Sequence, residues 1–104
     1  MRKGAIFAQL DAYIKVQAND FLDIEWVRKN RAFPLKDYKS LPEAIACEVV
    51  QEVYRRGMKT RYSLPFVKLQ EITGMLSKGI GNKKIVCGGG GCFLLNRGIV
   101  KFVS

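Results

Sequence analysis

The sequence predicts an α+β domain that is mainly helical, with a long N-terminal helix plus a capped helix pair and a small C-terminal antiparallel β-meander. Apolar residues recur every three or four positions through most of residues 5–78, which is the period of an amphipathic helix. After residue 82 they form three short runs separated by glycine-containing turns, which is typical of hairpin strands. A chain of 104 residues, 48% of them hydrophobic, is enough for one modest core. We therefore expect a single domain over residues 1–104.

Three parts make up this domain, and residues 1–39 form the first, a long helix and a connector. The helix is predicted over residues 5–28, where six apolar side chains keep helical spacing: Phe7, Leu10, Ile14, Ala18, Phe21 and Leu22. Residues 30–38 contain Pro34 among mixed polar and aromatic residues, which favours an extended connector. Phe33 and Leu35 are expected to anchor the connector to the core.

The second part, residues 40–79, is the predicted helix pair. Ser40-Leu41-Pro42-Glu43 has the pattern of a capping box, in which the serine hydroxyl accepts the backbone N–H of Glu43 and the glutamate carboxylate accepts the N–H of Ser40. This predicts a helix over residues 41–56. Gly57 is expected to end it, because glycine adopts the left-handed conformation that ends many helices.

A polar joint at residues 58–62 leads to the second helix of the pair. Ser63 is its predicted N-cap, and its apolar face is expected to comprise Phe66, Leu69, Ile72 and Leu76. Gly74 lies inside this helix and should weaken it by roughly 1 kcal/mol relative to alanine, so that the last turn frays or packs closely against a neighbour. Gly79 and Gly81 are expected to end it around Ile80.

The third part, residues 80–104, has strand character. Strands are predicted over residues 83–87, 92–96 and 99–103, separated by four consecutive glycines and by Asn96-Arg97-Gly98. Asparagine and glycine accept positive φ, so the second break is a good hairpin turn.

The glycines of this third part and the three cysteines of the chain are the candidates for a chemical site. The four glycines could cradle a phosphate, but they lack the lysine and hydroxyl of a P-loop and precede a strand, which favours a flexible turn. Cys47, Cys87 and Cys92 could share a metal, but a structural zinc site needs four ligands and the chain has no histidine. A Cys87–Cys92 disulfide is conceivable, although three cysteines without an even framework suit a reducing cytoplasm. We expect no metal site.

Catalysis has no recognisable apparatus in this chain. No serine or cysteine has a histidine base, and no carboxylate pair stands out among the nine acidic residues. No apolar run is long enough to cross a membrane, and Met1-Arg2-Lys3 is not followed by the apolar segment and cleavage site of a secretory signal. We expect a cytoplasmic protein without a catalytic site of its own.

The net charge of +9 is unevenly distributed along the chain. Residues 1–54 contain eight basic and eight acidic side chains, whereas residues 55–104 contain ten basic side chains and one acidic one, Glu71. Such an excess fits either a solvated surface or a surface that faces a polyanion.

The order of motifs resembles the region that follows the catalytic domain in bacterial tRNA(Ile)-lysidine synthetases. One helix opens with Leu41-Pro42-Glu43-Ala44 and closes with Tyr54-Arg55-Arg56-Gly57. A second opens after Ser63 with Phe66-Val67 and closes with Met75-Leu76-Ser77-Lys78-Gly79. Asn82-Lys83-Lys84-Ile85, a glycine hairpin and Asn96-Arg97-Gly98 follow, and the first helix, with Asp11, Tyr13 and Ala18, is similar to the linker helix of that family.

The resemblance implies the substrate-binding part of a tRNA-modifying ligase, an enzyme that uses ATP to adenylate the wobble cytidine of an isoleucine tRNA and then attaches lysine. In that family an N-terminal PP-loop domain with a Ser-Gly-Gly-x-Asp-Ser loop carries the chemistry. This chain has no such loop, so ATP and magnesium are expected only in a catalytic domain or chain that would be its partner.

The charge and the resemblance both point to tRNA as the partner. The candidate tRNA-binding residues are the basic side chains of the helix joint, the first strand and the last turn: Arg55, Arg56, Lys59, Arg61, Lys78, Lys83, Lys84 and Arg97. The alternative is a helical protein-interaction or dimerisation module without RNA affinity, which would dock on a catalytic chain or on a second copy.

Overall fold

The computed structural model describes residues 2–28, 32–79 and 81–103, and within the first helix it describes the side chains of residues 10–24. The elements in order are α1 (Arg2–Arg28), β1 (Ala32–Pro34), α2 (Leu35–Lys39), α3 (Glu43–Met58), α4 (Phe66–Lys78), β2 (Lys83–Val86), β3 (Cys92–Asn96) and β4 (Ile99–Val103). The predicted α+β architecture is confirmed. Asn30, predicted in the connector, and Ile80, predicted at the end of the second helix, lie outside the described residues. No helix in the described ranges is both long and apolar enough to cross a membrane.

The strands form one antiparallel sheet in the order β1-β4-β3-β2. The predicted meander is confirmed, and β3 and β4 have the predicted bounds. Arg97 and Gly98 join them with φ values of 51° and 74°, a two-residue turn whose positive φ angles match the twist of the strands. The four glycines form a short turn closed by the Cys87 N–H, which donates to the carbonyl of Gly91 at 2.7 Å.

The connector differs from the prediction. Its first part, Ala32–Pro34, is indeed extended, but it forms a fourth strand that pairs with β4, with Phe33 opposite Val100. Its second part is the short helix α2, so the prediction of an extended chain is wrong there. The Leu35 N–H donates to the Gly98 carbonyl at 2.8 Å, which fixes the start of α2 beside the β3–β4 turn. Phe33 and Leu35 are buried, which confirms them as the anchors of the connector.

The predicted capping box at Ser40 is wrong. Ser40 ends α2 in a right-handed helical conformation, and its hydroxyl donates to the Asp37 carbonyl at 2.7 Å. An N-cap needs an extended backbone, so the helical segment before Ser40 removes it from that role. The next helix begins at Glu43 instead, after Pro42 and without a side-chain cap.

Ser63 is not the N-cap of α4 either. That helix begins at Phe66 after Pro65, again without a side-chain cap. The loop before it is held by Gln51 of α3, whose Oε1 accepts the Leu64 N–H at 2.7 Å and whose Nε2 donates to the Leu64 carbonyl at 3.3 Å. Because the amide of Gln51 satisfies both backbone groups of Leu64, the loop is tied to α3 rather than capped by its own serine.

Gly57 does not end α3, which corrects the third capping prediction. The helix continues to Met58, and Lys59 is the left-handed C-cap, with φ of 55°. Gly57 is buried, and a Cβ built there would lie 2.1 Å from Cδ2 of Phe102. The missing side chain therefore lets α3 approach the sheet. The expected end of α4 at Gly79 is confirmed, with φ of 60°.

The helices cover one face of the sheet and enclose a single core cluster there. Its fully buried members include Leu22 of α1, Val49, Val50 and Val53 of α3, Ile72 and Leu76 of α4, and Phe33, Phe93, Leu95 and Val100 of the sheet. Two predicted core residues are exposed instead: Leu10 of α1 and Phe66, which is 70% exposed at the first turn of α4. Gly74 lies inside α4 as predicted, but nothing lies within 4 Å of a Cβ built there, so it makes no close contact. The predicted position of Phe7 in the core lies outside the described side chains.

Candidate nucleic-acid interface

Arg55 is held by carboxylates rather than directed to solvent. Its Nη2 contacts Oε2 of Glu48 and lies 3.3 Å from Oε2 of Glu52, and its Nη1 donates to Ser63 Oγ at 3.1 Å. The Arg55 and Glu48 side chains are only 17% and 16% exposed, so this is a partly buried network. It joins α3 to the loop before α4.

Arg56 is likewise paired, in this case across two helices. Its Nη2 lies 3.0 Å from Oδ1 of Asp23 and donates to Oδ1 of Asn19 at 2.8 Å, both on α1, while its Nε lies 3.6 Å from Oε1 of Glu52. Since their positive charge is already compensated, Arg55 and Arg56 are the least suited of the eight candidates to bind a phosphate.

Three candidate lysines do come together. Lys78, at the end of α4, and Lys83 and Lys84, in β2, line one open groove of about 550 Å³ between that helix and that strand. The floor of the groove includes Met75 and Ile85. All three lysines are exposed, and none forms an ion pair among the described residues.

Two further cations lie beside this groove. The backbone N–H of Arg97 donates to Oδ1 of Asn82 at 3.3 Å, which places the β3–β4 turn next to the start of β2. Lys39 lines the neighbouring groove between α3 and α4, and its Nζ would lie 2.8 Å from a Cβ at Gly79, so this ammonium group sits against the C-terminus of α4. A helix C-terminus favours a cation because its last carbonyls carry partial negative charge.

We call this group of cations the basic end, defined by Lys39, Lys78, Lys83, Lys84 and Arg97. They come from α2, α4, β2 and the β3–β4 turn, which the sheet order and the Leu35–Gly98 hydrogen bond bring to the same end of the molecule. Lys39 was missed by the sequence analysis because it belongs to the half of the chain with zero net charge. The only signal that could identify it is its contact with Gly79, 40 residues later.

Lys59 and Arg61 lie elsewhere. Lys59 caps α3 next to Met58, whose side chain approaches the glycine turn between β2 and β3, at the opposite end of β2 from Lys83. The rise of β2 from Lys83 to Val86 alone separates the two ends by about 10 Å. The eight predicted candidates therefore divide into an ion-paired set, the far end with Lys59 and Arg61, and the basic end.

The cysteines are the other candidate site that the sequence offers. All three are free, and no group of three or more possible metal ligands occurs among the described residues. Cys87 is buried, and this burial raises its pKa; Lys68 opposes the rise, and Cys92 and Glu71 add to it. Burial is also the main cause of the raised pKa of Cys47, with Glu43 and Glu48 adding to it. Raised pKa values keep these two thiols protonated and poorly nucleophilic at neutral pH.

Comparisons of the chain with protein-family models, with curated proteins and with solved structures found no match.

Proposed function

We propose that this chain is an RNA-binding domain whose basic end contacts the backbone phosphates of a tRNA. The observation that carries the proposal is the convergence of five cations from four elements, of which Lys78, Lys83 and Lys84 share one groove. Among the described residues, the acidic side chain that lines this groove is Glu71, and it pairs with Lys68 at 3.4 Å. The three groove lysines therefore outnumber the carboxylate beside them.

Contacts of this kind position an RNA without reading its sequence. Lysine ammonium groups bind phosphate as point charges, and each neutralised phosphate releases condensed counterions. The affinity should therefore depend steeply on salt. Specificity for one tRNA would have to come from its shape or from other parts of a larger assembly.

The resemblance to tRNA(Ile)-lysidine synthetases suggests the biological setting of this proposal. In this setting, the chain would be the substrate-binding part of a cytoplasmic ligase that attaches lysine to the wobble cytidine. The adenylation chemistry, with ATP and magnesium, is expected in a PP-loop domain or chain, because this chain has no Ser-Gly-Gly-x-Asp-Ser loop.

The proposal is tested by the salt dependence of binding to a tRNA transcript. Replacing Lys83 and Lys84 with alanine should reduce the slope of log affinity against log salt by roughly 1 to 2 units, because two phosphate contacts are lost. The matched control is Lys59→Ala with Arg61→Ala, which removes the same charge beyond the other end of β2, at least about 10 Å away and outside the ~8 Å Debye length at physiological ionic strength. An unchanged slope in the first variant, or equal changes in both, would reject the basic end as the contact surface.

The second candidate function, a protein-interaction module, is favoured by α1. Leu10, Tyr13 and Val16 are apolar yet 52%, 57% and 54% exposed, and all of residues 10–13 are exposed. This part of the helix therefore does not pack in the core. Exposed apolar side chains on an unsupported helix suit a protein contact. Light scattering with and without tRNA separates the two functions: concentration-dependent self-association that tRNA leaves unchanged would favour the module, whereas a 1:1 complex with tRNA would favour RNA binding.

A further inference from the structure

The face of the sheet that points away from the helices, which we call the outer face, is apolar and open over β2, β3 and β4, whereas Ala32 of β1, opposite Lys101 on the same face, is buried. Side chains directly opposite on antiparallel strands share a face, so the pairings Val86–Cys92–Val103 and Lys84–Leu94–Lys101 place six side chains there in two rows. Val86 and Val103 are 59% and 46% exposed, and Cys92 and Leu94 are half-buried. A third row adds Ile99 and Asn96.

Two lysines flank the apolar centre of the outer face. Lys84 and Lys101 lie on either side of Leu94 in the same row, so their backbones are two strand spacings apart, or about 10 Å. Both lysines are exposed, and neither forms an ion pair within the described ranges. Lysine on an edge strand protects against strand addition, which accounts for Lys84. It does not account for Lys101, because β4 is a central strand.

We propose that the outer face docks an amphipathic helix of a partner protein, with an apolar stripe and carboxylates on both flanks. A helix with its side chains is about 10–12 Å wide, so one lying along β3 would place its apolar stripe on Cys92 and Leu94 and its flanks beside Lys84 and Lys101. From Cys92 to Asn96 the face is about 14 Å long, which matches two to three helical turns. The proposal concerns a different surface from the basic end, although Lys84 borders both.

Two other occupants fit the outer face less well. A second copy of this chain, placed face to face, would bring four lysines together in a pair of molecules that each have a net charge of +9. A single-stranded nucleic acid needs aromatic rings on which its bases can stack, and the outward side chains of these rows are aliphatic or polar. An acidic amphipathic helix satisfies both the apolar rows and the flanking lysines.

The test uses two fluorescein-labelled 18-residue helical peptides that share a leucine stripe and carry glutamate or lysine on both flanks. At 50 mM salt the glutamate peptide should bind the full chain at least 10-fold more tightly than the lysine peptide. Lys101→Glu should reduce this preference at least 5-fold, and Leu94→Asp should abolish binding of both peptides. Equal binding of the two peptides, or no binding of either, would overturn the proposal.

The site of peptide binding can be located by comparing the alkylation of two cysteines in the same chain. Cys92 lies on the outer face, whereas Cys47 lines a separate groove between α3 and α4. Saturating glutamate peptide should slow alkylation of Cys92 by iodoacetamide at least 5-fold and leave Cys47 unchanged, as read by mass spectrometry of the folded protein. Protection of Cys47 alone would place the peptide in the other groove and overturn the proposal. So would light scattering that shows the free chain to be a dimer disrupted by Leu94→Asp, because the occupant would then be a second copy.

Discussion

Replacing Gly57 with alanine should destabilise the fold, even though alanine is the better helix former. Gly57 lies inside α3, where a Cβ would lie 2.1 Å and 2.2 Å from two ring carbons of Phe102, well inside the 3.5–4.0 Å of a carbon–carbon contact. Either the helix or the ring would have to move by more than 1 Å.

The ring of Phe102 has little room to move. Phe93 packs against it edge-on at a centroid distance of 5.0 Å, and a Cβ at Gly91 would lie 2.5 Å from its Cζ, so the backbone closes the far edge. Overpacking of this kind costs about 3 kcal/mol, at the upper end of the usual range. The gain in helix propensity from glycine to alanine offsets about 1 kcal/mol of that. The net loss is about 2 kcal/mol, or a Tm lower by roughly 10 °C in a domain of this size.

Gly74 is the matched control, because it is also a glycine inside a helix but has no atom within 4 Å of a Cβ built there. Gly74→Ala should therefore stabilise the chain by up to about 1 kcal/mol. Urea unfolding followed by circular dichroism measures both variants. If Gly57→Ala stabilised the chain as much as Gly74→Ala, the close approach of α3 to β4 would be disproved. The double variant Gly57→Ala with Phe102→Leu should lose about 1 kcal/mol less free energy of unfolding than the two single variants lose together.

Three further results are expected. Gln51→Ala should destabilise the chain by about 1–3 kcal/mol, because it leaves both backbone groups of Leu64 without their partner, whereas Gln70→Ala on the exposed face of α4 should have little effect in the same urea titration. Burial raises the pKa of Tyr38, so the unfolded chain ionises first as the pH rises above about 10, and by pH 11 the fold should lose about 1 kcal/mol that Tyr38→Phe does not lose. In the free chain, iodoacetamide should label Cys92 and Cys47 well before Cys87, which is 1% exposed; early labelling of Cys87 would contradict its burial.

Local signals in the sequence predicted the elements whose partners are close by in the chain. The strands β3 and β4 and the turn at Arg97 and Gly98 follow from short apolar runs and turn chemistry within a dozen residues. The strand β1 has only three residues and no alternation to reveal it, and it exists because it pairs with β4 some 65 residues later. The role of Gly57 is likewise decided by Phe102, 45 residues away.

In the candidate site, too, local features could be predicted from the sequence and long-range ones could not. Lys78, Lys83 and Lys84 are close in sequence and share a groove in the structure, whereas Lys39 joins them only through the fold. The pairing of Arg55 and Arg56 with Glu52 has helical spacing, so it could have been recognised from the sequence before these arginines were proposed as phosphate contacts. Their bonds to Asp23 and Ser63, by contrast, depend on how distant segments pack.

The position of β1 at the edge of the sheet has a consequence for the order of folding. The two hairpins β2–β3 and β3–β4 can form locally, but β4 receives its second neighbour only when a segment from the front of the chain arrives, at the entropic cost of closing a long loop. Until then, Ile99–Val103 presents a free row of backbone donors and acceptors flanked by apolar side chains. A chain caught at this stage would expose the segment most prone to intermolecular strand pairing, so slow docking of Ala32–Pro34 would favour aggregation.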